Sequence, residues 1–210
     1  MTTLVRDAYD SNAELYASLF RDELDRDAQS LKWLAKFSEL ASQLRGPIAD
    51  VGCGPGGVVH HLHELGLDVI GYDLSPGQIE QARNAYPDLR FGVGDLAALD
   101  VDDSSLGGIV SRYSLIHLAP SGLRDVFVDW IRALEPEAPV FVSFFGSRSA
   151  AAHGTSFDHK VVTAYELFPE TVGQLLQAVG FTDLEIETTP IPDGGRPFDH
   201  TTMLVRKPAA

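Results

Sequence analysis

Eight consecutive residues constrain this chain more than any others: Asp50-Val51-Gly52-Cys53-Gly54-Pro55-Gly56-Gly57. A short apolar run over 48–52 leads into them and an amphipathic stretch over 58–65 leads out. The glycines therefore occupy a strand-to-helix turn. Glycine there supplies left-handed backbone at little cost and lets main chain approach a ligand closely. Gly52, Gly54 and Gly57 fit the spacing G-x-G-x-x-G, which opens many nucleotide sites and is weak evidence alone. Asp50 is the discriminating residue. A carboxylate inside the strand, two residues before the first glycine, repels a pyrophosphate and suits an ammonium or a sulfonium.

The periodicity on either side of the turn sets the fold class. Residues 24–44 carry apolar side chains at helical spacing (Leu24, Ala28, Leu31, Leu34, Phe37, Leu40, Ala41, Leu44), and Gly46-Pro47 ends that run. Strands are predicted at 48–52, 68–73, 89–93, 108–113 and 140–145. Helices are predicted at 58–65, from Ser75, at 126–134, and from Pro169 to Gly180. Ser75-Pro76-Gly77-Gln78 reads as a capping box with proline at the first helical position. The closing strands, near 184–188 and 201–206, are joined by 190–197 with no helix between, so they should pair antiparallel. The pattern predicts an α/β protein with a Rossmann-like, doubly wound, seven-stranded sheet. It is mostly parallel, ends in a C-terminal antiparallel hairpin and carries helices on both faces. Residues 1–45 are expected to form an N-terminal helical cap segment. Residues 46–210 are expected to form the core, with an insertion at about 147–165.

Charge narrows the function. The chain has 16 Lys+Arg against 30 Asp+Glu, and residues 47–110 hold only 2 basic groups against 10 acidic. A nucleic-acid partner or an anionic membrane surface needs a basic face, and neither is expected. No apolar run reaches the roughly 18 residues that span a bilayer, and no apolar leader follows Arg6. A soluble, cytoplasmic location is expected. The single cysteine, Cys53, forms no internal disulfide. His60, His61 and His63 do not share one helix face, so no metal site is expected.

Motifs further along the chain resemble those of the class I S-adenosylmethionine-dependent methyltransferases. Asp50-Val51-Gly52-Cys53-Gly54-Pro55-Gly56 is similar to that family's first motif, an acidic residue followed by x-G-x-G-x-G. Gly71-Tyr72-Asp73-Leu74-Ser75 resembles the second and Gly94-Asp95-Leu96 the third. The segment Ser111-Arg112-Tyr113-Ser114-Leu115-Ile116-His117-Leu118 resembles the stretch after strand four. Glu137 and Ala138 stand where the family has glycines before strand five, a departure that touches a turn. The resemblance covers roughly residues 46–208. It implies S-adenosyl-L-methionine as cofactor, bound by Asp50, Gly52, Cys53, Gly54, Gly56, Asp73, Leu74, Asp95, Leu96, Ser111 and Arg112. The chemistry agrees: one carboxylate at the end of strand two, Asp73, can accept both vicinal ribose hydroxyls. Asp95 can accept from the adenine amino group, and Leu74 and Leu96 can sandwich the ring.

The methyl acceptor should lie above strands four and five. His117 is the candidate general base. Tyr9, Tyr16, Tyr113, Arg148, His159 and Tyr165 are the candidate substrate contacts. The basic groups of 147–165 point to an acidic group on the acceptor. No Asn/Asp-Pro-Pro-Tyr follows strand four, so a small metabolite is favoured over a nucleic acid or protein. Whether O, N or C receives the methyl, and the oligomeric state, stay open. The alternatives are an NAD-dependent oxidoreductase, which Asp50, Asp95 and the closing hairpin oppose, and a non-catalytic cofactor-binding protein.

Overall fold

The computed structural model describes residues 2–190 and 198–209. Five strands run parallel: β1 (Ile48–Val51), β2 (Val69–Asp73), β3 (Arg90–Val93), β4 (Gly108–Arg112) and β5 (Pro139–Gly146). A small separate hairpin follows, β6 (Ser156–Asp158) with β7 (Thr163–Tyr165). β8 (Thr182–Pro190) and β9 (Asp199–Arg206) then pair antiparallel, and β9 lies antiparallel along β5. The seven-stranded order is β3-β2-β1-β4-β5-β9-β8. The predicted sheet and its closing hairpin are both present. Residues 191–197, most of the predicted connection, lie outside the described residues.

Sheet order reverses at β1, which has β2 on one side and β4 on the other. The two crossover directions part there, and a crevice opens at the carboxyl ends of the strands. All four residues of β1 are buried, as expected of a central parallel strand.

Helices cover both faces. On one face Trp33, Leu34 and Phe37 of α3 (Ala28–Ala41) pack with Val59 and Leu62 of α4 (Gly57–Glu64) and Ile79 of α5 (Pro76–Ala85). On the other, Phe127 and Trp130 of α6 (Leu123–Ala133) pack with Val172 and Leu176 of α7 (Pro169–Val179). Before α3 come α1 (Thr2–Ser11) and α2 (Ala13–Phe20). None of the helices among the described residues is long and apolar enough to cross a membrane.

Two local expectations need correction. The apolar spacing over 24–44 predicts one helix, but a 3-10 turn over Leu24–Arg26 comes first and α3 starts only at Ala28. Asp27 causes the break: its carboxylate accepts from the Ser30 amide at 2.9 Å and the Ser30 hydroxyl at 2.6 Å. That cap outcompetes continuation of the helix. The capping box is only half formed. Ser75 Oγ accepts from the Gln78 amide at 3.1 Å, but the Ser75 amide donates to Asp73 Oδ1 at 2.9 Å instead of to Gln78.

Candidate functional site

The glycine turn leaves β1 and is wrapped around one side chain. Gly52 and Gly54 have φ of +80° and +51°. The Gly54 amide donates to Asp73 Oδ2 at 2.9 Å, while the Ser75 amide holds Asp73 Oδ1. Asp73, the last residue of β2, thus ties the turn to the adjacent strand. Burial pushes its carboxyl up, and the backbone N–H groups of Ser75 and Gly54 counter that shift. A Cβ on Gly52 would lie 2.3 Å from Ser114 Cβ, in a backbone region that L side chains avoid. Gly52→Ala is therefore expected to cost about 2 kcal/mol or more and to lower the melting temperature by roughly 4–8 °C. Calorimetric melting checks this, and an unchanged melting temperature would contradict the close approach.

Two pockets lie against the turn, and a third shares lining residues with both. Asp73, Leu74, Asp95, Leu96 and His117 line the first, with Gly52 and Gly54 as its floor. Asp50, Cys53 and Arg112 line the second, beside Glu23. The third is a cavity of about 500 Å³ against Leu15, Leu19, Tyr113, Phe145 and His200. Tyr16 borders all three, and Tyr113 borders the first and third. Asp50 is 1 % exposed and its Oδ2 has no hydrogen-bond partner. Burial, and then the nearby Asp73, push its carboxyl up to about 8, against the lowering effect of Arg112. Burial holds the Cys53 thiol well above its usual range, which makes it a packing group and not a nucleophile.

Side chains of the N-terminal helices close over the crevice. Asp10 of α1 accepts from the Gly77 amide at 2.6 Å and from Ser75 Oγ at 2.8 Å, at the start of α5. Tyr9 meets His117 Nε2 at 2.8 Å, and the other ring nitrogen of His117 faces the Thr163 carbonyl at 3.4 Å. A carbonyl only accepts, so Nδ1 carries the proton and Nε2 accepts from the Tyr9 hydroxyl. Burial lowers the His117 pKa. Tyr16 is hydrogen-bonded to Tyr9, and burial pushes its hydroxyl up to about 12. Arg112 reaches back to Asp27 at 2.9 Å and to Glu23 at 3.3 Å. Tyr113, with φ +55°, turns the chain after β4 and meets His200 Nδ1 at 2.6 Å.

Comparison with known proteins agrees with this geometry. Residues 48–137 match a family described as "Methyltransferase domain". Over that stretch, which holds the glycine turn and the first four strands, the chain is similar to methyltransferase domains. It is 39% identical over 89 residues to trans-aconitate 2-methyltransferase of Rhizobium meliloti, covering 41% of this chain and 32% of that one. It is 28% identical to arsenite methyltransferase of Halobacterium salinarum, over 90% of this chain and 56% of that one. This chain thus spans about a third to just over half the length of these curated relatives. In fold it is similar to magnesium protoporphyrin IX methyltransferase of Synechocystis, solved with bound S-adenosylmethionine. The TM-score is 0.73 at 17% identity, over 98% of this chain and 96% of that one.

Most of the sequence-predicted residues meet at the three pockets. Asp50, Gly52, Cys53, Gly54, Asp73, Leu74, Asp95, Leu96, Arg112 and His117 line them, as do Tyr9, Tyr16, Tyr113 and His159. Four do not. Gly56 turns the backbone ahead of α4 and lies against Phe91. Ser111 is fully buried and its hydroxyl meets Ser114 Oγ at 2.6 Å, so Ser114 takes its place at the crevice. Arg148 pairs with Asp199, the first residue of β9, at 2.7 Å. Tyr165 pairs with Ser156 in the β6–β7 ladder. Phe145, His200 and Gln78 went unread. Gln78 is fully buried under the glycine turn with neither amide atom partnered. Half a capping box was its only signal. The donor set has the chemistry that S-adenosyl-L-methionine needs: a carboxylate at Asp73 with acceptor capacity for a diol, and an orphaned buried carboxylate oxygen at Asp50 suited to a cation.

Proposed function

We propose that this chain is an S-adenosyl-L-methionine-dependent methyltransferase acting on a small-molecule acceptor by in-line displacement. The observation that carries the reading is Asp73, braced by the Gly54 and Ser75 amides in a crevice that shares Tyr16 and Tyr113 with the lining of a larger cavity. In this reading Asp73 accepts from the ribose hydroxyls and Asp95 from the adenine amino group. Leu74 and Leu96 flank the ring. Asp50 and the glycine turn face the amino-acid end. The cofactor, when bound, supplies a methyl group activated on a sulfonium. The names of two relatives, trans-aconitate and arsenite methyltransferase, support small acceptors. α1, α2 and the 147–165 segment are the parts that cover the acceptor side and exclude water. Calorimetry should show S-adenosylhomocysteine binding and no NAD binding. Tight NAD binding would favour the oxidoreductase instead.

We assign His117 the proton-accepting role, exercised through the Tyr9 hydroxyl that its Nε2 holds. A base aids such a step by about 10² at the low end of the usual range. His117→Ala and Tyr9→Phe should each lower kcat by about that factor, with S-adenosylhomocysteine affinity kept within threefold. Burial lowers the His117 pKa, so the ring stays unprotonated at neutral pH. Activity should fall only below the ordinary histidine value near ~6.5, and that acid limb should vanish in His117→Ala. Full activity in Tyr9→Phe would remove the route.

A further inference from the structure

We infer that the cavity beside the crevice takes a flat, uncharged aromatic acceptor bearing a hydroxyl, that is, a phenol; this rests on the methyltransferase reading above. The wall chemistry leads there. Tyr16, Phe20, Tyr113, Phe145, His159 and His200 present aromatic rings to the cavity. Several of them stack on one another, Tyr113 on Phe145 at 4.8 Å and Tyr16 against Phe20 at 4.6 Å. Such walls favour a planar ring, which can stack or meet them edge-on. At about 500 Å³ the space matches a ligand of a few fused rings.

Charge decides against the other classes. The lining holds one Lys and one Glu, and each has its own partner. Lys160 Nζ pairs with Asp158 at 3.1 Å, and Glu23 with Arg112 at 3.3 Å. Arg148, which a sequence reading turns toward an acidic acceptor, is paired with Asp199 outside the cavity. Both the carboxylate and the ammonium group of the lining are thus already engaged. The other polar side chains of the lining are the Tyr16 and Tyr113 hydroxyls, the His159 and His200 rings and the Asn12 amide. The Tyr113–His200 pair at 2.6 Å stands at one side, and Tyr16, hydrogen-bonded to Tyr9, stands at the border with the crevice. The mouth is apolar. Leu15 and Leu19 of α2 are 60 % and 58 % exposed at the rim, a surface that an apolar ring system would cover.

The hydroxyl follows from the proton bookkeeping. An O-nucleophile must lose its proton, and a phenol ionises near ~10, within reach of a histidine-based relay. An aliphatic hydroxyl sits far higher. As the phenol oxygen forms its bond to the methyl carbon, the carbon–sulfur bond breaks and its electron pair stays on sulfur. The phenolic proton passes by Tyr16 and Tyr9 to His117. Tyr16 and Tyr113 border both spaces, so the methyl crosses between them.

Calorimetric titration of protein loaded with S-adenosylhomocysteine tests this with three probes: 2-naphthol, 2-naphthoate and phenyltrimethylammonium. Naphthol should bind at least tenfold more tightly than either charged probe. Phe145→Ala and Leu19→Lys should each weaken naphthol binding by tenfold or more and leave S-adenosylhomocysteine affinity within twofold. Leu19 is exposed, so Leu19→Lys folds even if Phe145→Ala does not. Charged probes that bind as well as naphthol, undetectable naphthol binding, or an unaffected Leu19→Lys would each overturn the assignment. The same titration without S-adenosylhomocysteine separates the two readings. Naphthol binding by a protein that fails to bind S-adenosylhomocysteine upholds the cavity and removes the methyltransferase; the reverse removes only the phenol.

Discussion

Asp73→Ala is expected to weaken S-adenosylhomocysteine binding by about 10²–10⁴. The ribose diol would donate two hydrogen bonds to this carboxylate, each worth roughly 1.5–3 kcal/mol because the acceptor is charged. Their loss alone accounts for that range. A second loss adds to it. The Gly54 and Ser75 amides, now spent on Asp73 at 2.9 Å each, would face an empty space, and the turn would lose the bond that sets its position. Asp73→Asn separates the two contributions. An amide keeps the volume but offers a single acceptor atom, so one of the two backbone donors must face an N–H. Its binding should fall about tenfold or more, less than in the alanine variant. Calorimetry at fixed pH reads both, and a melting scan shows that the fold persists. Wild-type affinity in Asp73→Ala would remove the ribose role, and with it the cofactor assignment.

What the sequence made legible follows from the range of the forces involved. The turn over 50–57 and the acidic end of β2 are local patterns, and both sit where their motifs place them. The central parallel strands read well because burial on both faces leaves apolar runs between glycine-rich turns. Register between distant strands is not local. Phe145 and His200 face each other only because β5 and β9 pair antiparallel, and no spacing within either strand announces that. Arg148 shows the same limit from the other side: its charge was visible, but its partner Asp199 lies 51 residues away. The Asp27 break in the N-terminal apolar run was readable in principle. An aspartate three residues before a serine is a cap signal, masked here by apolar spacing that continued through it. α3 therefore joined the sheet's helical layer, leaving α1 and α2 at the crevice.

Asp50 carries the second large expectation, in which stability and binding move in opposite directions. In the unfolded chain an aspartate ionises near ~3.9; in the folded protein, burial and Asp73 push Asp50 up to about 8. Between those values the native state holds a proton that the unfolded state has released. Stability therefore falls as pH rises from about 4 to about 8 and levels off above the folded value. The full span corresponds to a penalty on the order of 5 kcal/mol. Asp50→Asn removes the ionisable group but brings a buried N–H donor, which trims the gain to about 3 kcal/mol. At pH 8 the variant should melt roughly 6–12 °C above the native protein, and near pH 4, where only the cost of the buried donor is left, roughly 4–8 °C below it. Binding should respond the other way. A cationic ligand beside Asp50 favours its ionised form, so binding releases a proton and tightens as pH rises. Asp50→Asn should lose that pH dependence and about tenfold in S-adenosylhomocysteine affinity at pH 8. A carboxylate that weakens the fold and strengthens binding is a functional group. A variant that melts lower than the native protein at pH 8, or binds as tightly as it does there, would show that Asp50 is a structural residue.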